Sequence, residues 1–311
     1  MANTVTKLFR TAGVFQITIP NGVNATIDYK IWGAGGAAGG VDGNGPQGNG
    51  ASGAYTDGTL LARSGDELLI AVGEAGKPGT SGTGSGGGAG GRSFFGHGGG
   101  RGGNAGAAGW SGGGAGGGGA SVIVVNQGIV AIAGGGGGGG GGSHNRSGTN
   151  GRNTQTATTG SYGKPGINMG GDGAGGGGGG GGVLGGVGGA SGRDNSVGGQ
   201  GGATGTGGTP GTNATPVNTE SVVWVPPAGL GGTGASGQAG NGLVHLEITI
   251  TGFGKVKVNS DWHDVDTIYV KEQNLWKPVK DMYVKENGKW VNVAVDLGKL
   301  AVLPAKSFFA N

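Results

Sequence analysis

The chain has 311 residues, of which 89 are glycine, 10 are proline and none is cysteine, and its formal net charge is +3. Glycine at several times its average usage excludes an ordinary globular enzyme, and the missing Gly-X-Y register excludes collagen. The absence of cysteine removes disulfide frameworks, thiol nucleophiles and thiolate metal sites together, and charged residues at 12% with aromatics at 6% give no nucleic-acid-binding signature.

The opening segment MANTVTKLFRTAGVFQITIP is polar where a secretory leader carries its apolar core. We therefore expect a protein assembled in a cytoplasm. The first β-type runs are Phe15 to Ile19 and Thr26 to Trp32, alternating apolar and polar residues on either side of Pro20-Asn21-Gly22, and this pattern predicts a hairpin. Further strands are predicted at Glu67 to Val72, Ser121 to Val125, Ile129 to Ala133 and Leu243 to Ile250. Together they can form a small sheet or sandwich.

Between these runs lie glycine tracts, including the unbroken Gly134 to Gly142 and Gly175 to Gly182. They have neither the period of a strand nor that of an α-helix. Isolated, such tracts are flexible linkers or extended helices of the polyproline II type. Packed side by side, all-glycine helices let backbones approach closely enough for each N–H to reach a neighbouring carbonyl. Ordering glycine costs about 0.5 to 1 kcal/mol more than ordering alanine, so only a saturated hydrogen-bonded array can offset it. The expected fold is mainly β and irregular, with short strands framing a bundle of polyglycine II helices.

Of the 89 glycines, only Gly254, Gly288 and Gly298 lie beyond residue 252, which divides the chain into a glycine-rich domain, 1–252, and a C-terminal domain, 253–311. The second contains a 14-residue repeat: Trp262, Trp276 and Trp290, then Val265, Val279 and Val293, then Lys257, Lys271 and Lys285. Its unit reads YVKENGKWVNV, in which Asn287-Gly288 signals a hairpin turn. Three β-hairpin units follow. Units this small must stack on each other, on the glycine domain or on another chain, and we assign the three tryptophans to attachment or oligomerisation, a homo-trimer being the simplest form.

No catalytic constellation emerges, and no cofactor is implied. GxGxxG spacings carry no information in a chain this rich in glycine, and the segment Gly73 to Pro78 lacks the Ser or Thr that a phosphate loop needs after Lys77. Asp261, His263, Asp264 and Asp266 cluster, but stepping by 14 replaces Asp261 with Leu275 and Lys289, and His263 with Lys277 and Val291. A solvated turn explains them better than a metal site. His245 alternates with Leu243 and Glu247 along a predicted strand, which favours a structural role. Two stretches interrupt the glycine tracts with polar and aromatic residues, 143–169 and 203–227. Loops on a rigid scaffold are where binding residues sit, and the candidates are His144, Arg146, Arg152, Tyr162 and Trp224.

The run FQITIPNGVNATIDYKIWGAGGAAGG, followed by GDELLIAVGEAGKPG, GGGGASVIVVNQGIVAIAGGGGGGGGGS and a closing GLVHLEITI, resembles the glycine-rich domain of bacteriophage tail-fibre and related virion proteins. The resemblance covers nearly all of residues 9 to 252. It implies a virion protein that recognises a bacterial surface receptor, an outer-membrane protein or a glycan, through loops displayed on polyglycine helices. Its other partners would be phage virion proteins. The alternative is a purely structural virion component, a capsid decoration or baseplate protein.

Overall fold

The computed structural model describes residues 3–20, 23–82, 84–107, 110–152, 163–169, 173–193, 197–207 and 240–251, together with short strands between 255 and 304. The protein is mainly β, with no helix among the described residues. Two antiparallel sheets form its apolar centre. The first orders β1 (Asn3–Phe9), β8 (Leu243–Thr251), β3 (Asn24–Trp32) and β4 (Tyr55–Ala62), with β8 between β1 and β3. The second runs β15 (Leu303–Pro304), β2 (Gly13–Thr18), β5 (Glu67–Val72), β6 (Ser121–Val125) and β7 (Gly128–Ala133).

The sheets pack face to face. Ile17, Leu68, Ile70 and Ile123 from one and Ile27, Ile31, Leu246 and Ile248 from the other share a single buried cluster. Each such side chain contributes about 1.5 to 3 kcal/mol of burial. The inner residues alternate with outer ones along each strand, as the period of two requires. β6 and β7 join through Asn126 and Gln127, both in the left-handed region (φ 46° and 70°), the backbone that a tight hairpin turn demands.

The predicted hairpin of residues 15–19 and 26–32 does not form. β2 pairs with β5 and β15, whereas β3 pairs with β4 and β8, so the chain crosses from one sheet to the other around Pro20. Alternation of apolar residues is satisfied equally by two adjacent strands or by two strands facing across a core. Here Ile17, Ile19 and Ile27 meet in the same cluster from opposite sheets. β1 and β4 were not predicted. In β4 the pattern is broken by Gly58, which lies opposite Tyr29; a Cβ there would sit 2.5 Å from the Tyr29 hydroxyl, so the aromatic ring occupies the space that glycine leaves.

The glycine tracts form extended strings that leave the sandwich and return to it, at 33–40, 46–54, 73–80, 85–92, 97–104, 111–119, 134–142, 147–152, 163–169, 174–181, 186–193 and 197–206. Their hydrogen bonds run between strings and repeat every three residues. Gly135, Gly138 and Gly141 donate to Gly181, Gly178 and Gly175 at 2.7 to 2.9 Å, while Gly136, Gly139 and Gly142 donate to Ala34, Ala37 and Gly40 at 2.8 to 2.9 Å. The carbonyls are used in the same rhythm. Gly118, Ala115 and Gly112 donate to Gly136, Gly139 and Gly142, and Gly205, Gly202 and Gly199 donate to Gly135, Gly138 and Gly141. String 134–142 thus bonds to 33–40, 46–54, 111–119, 147–152, 174–181 and 197–206, and is enclosed on all sides. Strings 111–119 and 174–181 are enclosed in the same way. Two of these three interior strings hold the long unbroken glycine runs, and in the third, 111–119, only Ser111 and Ala115 depart from glycine.

Strings at the rim lack a neighbour on one side, and side-chain oxygens take its place. Asn104 Oδ1 accepts from the Gly87 N–H at 2.9 Å, Asn168 Oδ1 from Asn104 at 2.7 Å, Asn150 Oδ1 from Asn49 at 2.9 Å, and Thr149 Oγ1 from Gly201 at 2.9 Å. An amide or hydroxyl oxygen here stands in for the missing carbonyl, which avoids the cost of an unsatisfied donor. Ion pairs lie along the same surface: Lys77 and Arg92 both reach Glu74 at 2.9 Å. Burial pushes the Glu74 carboxyl up, and the bonds from Arg92 and Lys77 more than reverse this, leaving its pKa below the ordinary value.

Array and sandwich are clamped at one junction. The buried Ser121 Oγ donates to the Trp32 carbonyl at 2.8 Å and accepts from the Gly73 N–H at 3.1 Å, which ties the ends of β3 and β5 to the start of β6. The Trp32 ring stacks obliquely on Tyr55, centroids 4.9 Å apart. His245, two residues along β8 from the partner of Trp32, is buried. Burial lowers its pKa; Lys30, opposite it across the ladder, acts in the same direction and Glu247 opposes.

Two predictions follow from this packing. A Cβ on Gly138 would lie 2.3 Å from the Ala115 carbonyl oxygen, whereas one on Gly128 would lie 3.5 Å from its nearest neighbour. Gly138→Ala should therefore cost about 3 kcal/mol or more and Gly128→Ala little, as read by thermal melting of the two variants. The second concerns acid. A histidine whose folded pKa lies below its unfolded value of 6.5 gives stability that is complete above that value and is lost as pH falls through the folded pKa. Chemical denaturation at pH 7.5, 6.5 and 5.5 should show declining stability in the natural chain and a flatter profile in His245→Leu.

Candidate functional site

The strings give the array two distinct ends. Residues 33, 73 and 134 follow directly on β3, β5 and β7, and residues 54, 120 and 242 lead directly into β4, β6 and β8. That end is the base, at the sandwich. Because successive strings run in opposite directions, the turns at 41–45 and 143–146 fall at the far end, the tip, as do the described residues 81, 82, 84, 105–107, 110, 193 and 197. The turns at 93–96 and 182–185 fall at the base.

The tip turns are locked to one another. In the first, the Asp42 N–H donates to the Gly45 carbonyl at 2.9 Å and Gly45 donates back to Asp42. The turn at Ser143 repeats this pairing: Ser143 donates to the Arg146 carbonyl at 3.0 Å, Arg146 donates back at 2.5 Å, and Asn145 between them is left-handed (φ 53°). The two turns abut, since a Cβ on Gly45 would come within 2.5 Å of the Ser143 carbonyl oxygen. The buried Ser143 Oγ also donates to the Arg193 carbonyl at 3.2 Å, and the Val197 N–H donates to the same residue. On the other side, the Val41 N–H donates to Ser81 Oγ at 2.8 Å, and Ser85 Oγ donates to the Ser111 carbonyl next to Trp110.

This continuous network holds a set of exposed side chains in fixed relation: Asn44, Trp110, His144, Arg146, Arg193 and Val197. Trp110 is 68% exposed, an unusual setting for so large an apolar surface. An exposed tryptophan and two exposed arginines at one end of the array form a surface suited to binding another macromolecule, because aromatic rings supply contact area at low entropy cost and Arg supplies directional donors.

Of the residues singled out from the sequence, His144 and Arg146 share one tip turn. Arg152 lies at the base end of string 147–152, bridged to Ala203, and so does not join them. The stretch 143–169 is consequently not one loop. It comprises a tip turn, a string at 147–152 and a second string at 163–169, with 153–162 outside the described residues. Tyr162 and Trp224 lie outside the described residues. Trp262, Trp276 and Trp290 occur in β10 (Asp261–Asp264), β12 (Leu275–Pro278) and β14 (Lys289–Asn292). Sequence reasoning missed Trp110, Asn44, Arg193 and Val197. The parity of the glycine tracts was the available signal, since alternate interruptions between strings fall at the same end.

No protein-family model and no curated protein matches this chain in sequence.

Proposed function

We propose that the chain is a bacteriophage tail-fibre protein that adheres to the host bacterial surface through the tip turns of its array, and that the glycine strings are polyglycine II helices. The three-residue rhythm of the bonds between strings supports the second point, because that helix has three residues per turn. At about 3.1 Å per residue, the nine residues of string 134–142 would carry the tip roughly 25 Å from the sandwich. The observation that carries the adhesive reading is the exposed cluster of Trp110, His144 and Arg146 on turns cross-linked by Ser143 and Ser85.

In this reading the protein performs no chemistry. It is a virion component with no cofactor, whose partners are a surface protein or glycan of the bacterium and other proteins of the particle. Several copies on one particle raise avidity without any new contact. Rigidity of the array reduces the ordering cost of each contact, and the C-terminal repeats, bearing Trp262, Trp276 and Trp290, are available for attachment or trimer formation.

The test is binding of labelled full-length chain to a panel of bacteria, with and without adsorbing phage. The natural chain should bind one host saturably and compete with the phage. Trp110→Ala/His144→Ala/Arg146→Ala should lose at least about tenfold in affinity with its melting temperature unchanged, since hot-spot aromatic and arginine side chains are typically worth about 2 kcal/mol or more. Equal binding by both chains, or none to a host that the phage adsorbs to, would refute the tip as adhesin and favour the reading of a particle building block.

A further inference from the structure

The described residues of the C-terminal repeats form three antiparallel strand pairs, β9 (Lys255–Val258) with β10, β11 (Tyr269–Glu272) with β12, and β13 (Tyr283–Glu286) with β14. The register gives the 14-residue period a consequence that the sequence did not disclose. Trp262 is paired with Lys257, Trp276 with Lys271 and Trp290 with Lys285. A lysine thus stands directly opposite each tryptophan, three times over.

Alternate register pairs fall on opposite faces of an antiparallel ribbon. The face carrying the Trp–Lys pair also carries Tyr269 in the second unit and Tyr283 in the third, on the pairs with Pro278 and Asn292. In these two units it carries no carboxylate. The acids Asp261, Glu272 and Glu286 all fall on the other face, and only Asp264, paired with Lys255, shares a Trp face. Lys271 is exposed, as is Leu275, at 66%, on the opposite face of the same unit. The Trp faces of the second and third units are therefore aromatic and cationic, whereas the opposite faces carry the acids together with Lys277 and Lys289, which balance Glu272 and Glu286.

We propose that the Trp–Lys faces are a second binding site, for an acidic polysaccharide. A pyranose ring has an apolar C–H face that matches an indole, and a uronic acid carries its carboxylate directly on that ring. The Cβ atoms of opposed residues in a ladder lie about 4.5 to 5.5 Å apart, so a lysine stem rooted beside the tryptophan is long enough to reach a carboxylate on a sugar ring stacked there. One sugar residue can stack on the tryptophan while the lysine ammonium takes its charge. Three units in one chain multiply a weak contact on a polymer with a repeating acid. This site is separate from the tip and does not depend on the tip's role.

The experiment is native gel electrophoresis of the full chain through polygalacturonate, with dextran as a neutral polymer of sugar rings and polyphosphate as a charged polymer without rings. Polygalacturonate should retard the natural chain more strongly than either. Lys257→Gln/Lys271→Gln/Lys285→Gln should raise the dissociation constant at least tenfold, and Lys271→Gln alone, at an exposed position, should raise it two- to threefold. Asp261→Asn/Glu272→Gln/Glu286→Gln, on the other face, and the tip variant of Trp110, His144 and Arg146 should leave it within twofold. The proposal is overturned if the natural chain is not retarded, if polyphosphate retards it as strongly, if Lys271→Gln has no effect, or if the acidic-face variant loses as much as the lysine variant.

Discussion

Backbone hydrogen bonding between strings without side chains is the constraint on which this structure rests. Each interior residue has one donor and one acceptor, and in string 134–142 they are engaged by different neighbouring strings. Such close approach leaves no room at positions such as Gly138, where a Cβ would come 2.3 Å from a carbonyl oxygen. Composition follows from position. Enclosed strings are almost pure glycine and alanine, whereas rim strings place Glu74, Lys77, Arg92, Arg101 and Gln200 outward. A glycine array of this kind gains little from apolar burial and depends on saturation, since an unbonded buried amide costs about 1 to 3 kcal/mol.

The boundary of such an array poses the problem that a sheet edge poses, a row of unpaired donors open to another chain. Rim asparagines, serines and threonines resolve it by supplying oxygens in place of the missing string. The sandwich solves a different problem. It holds the ends of the strings in register through β3, β5 and β7, and Ser121 fixes the junction from a fully buried site. An apolar core thus sets the spacing that the glycine lattice then propagates to the tip.

Much of this was legible in the sequence. The strands at 67–72 and 121–125 have the predicted bounds, and each 14-residue unit contributes one antiparallel strand pair. The predicted pairing of 15–19 with 26–32 failed because alternation specifies which face is buried and not which strand lies alongside. β4 was hidden by Gly58, whose missing side chain is filled from across the ladder by Tyr29. In the candidate site, His144 and Arg146 were found because they interrupt glycine, but their separation from Arg152 depends on which end of the array each turn reaches. That is a property of the whole path and of no local motif. The Trp–Lys pairing likewise required the hairpin register.

The tip is where the scaffold constrains side chains least. Side chains are excluded from the interior strings and tolerated at the turns, so variation can accumulate at Asn44, Trp110, His144 and Arg146 without disturbing the lattice. The arrangement combines a rigid base with a changeable end, which suits the adhesive role proposed above.

Amide hydrogen exchange in the native protein tests the central claim most directly. If saturated bonding between strings holds the array together, the amides of 112–118, 135–142 and 175–181 should exchange only through global opening, with protection equal to that of the core strands β5 and β6. Exchange of these glycine amides within seconds, while β5 and β6 remain protected, would show that the tracts are linkers draped around a sandwich and would contradict the account.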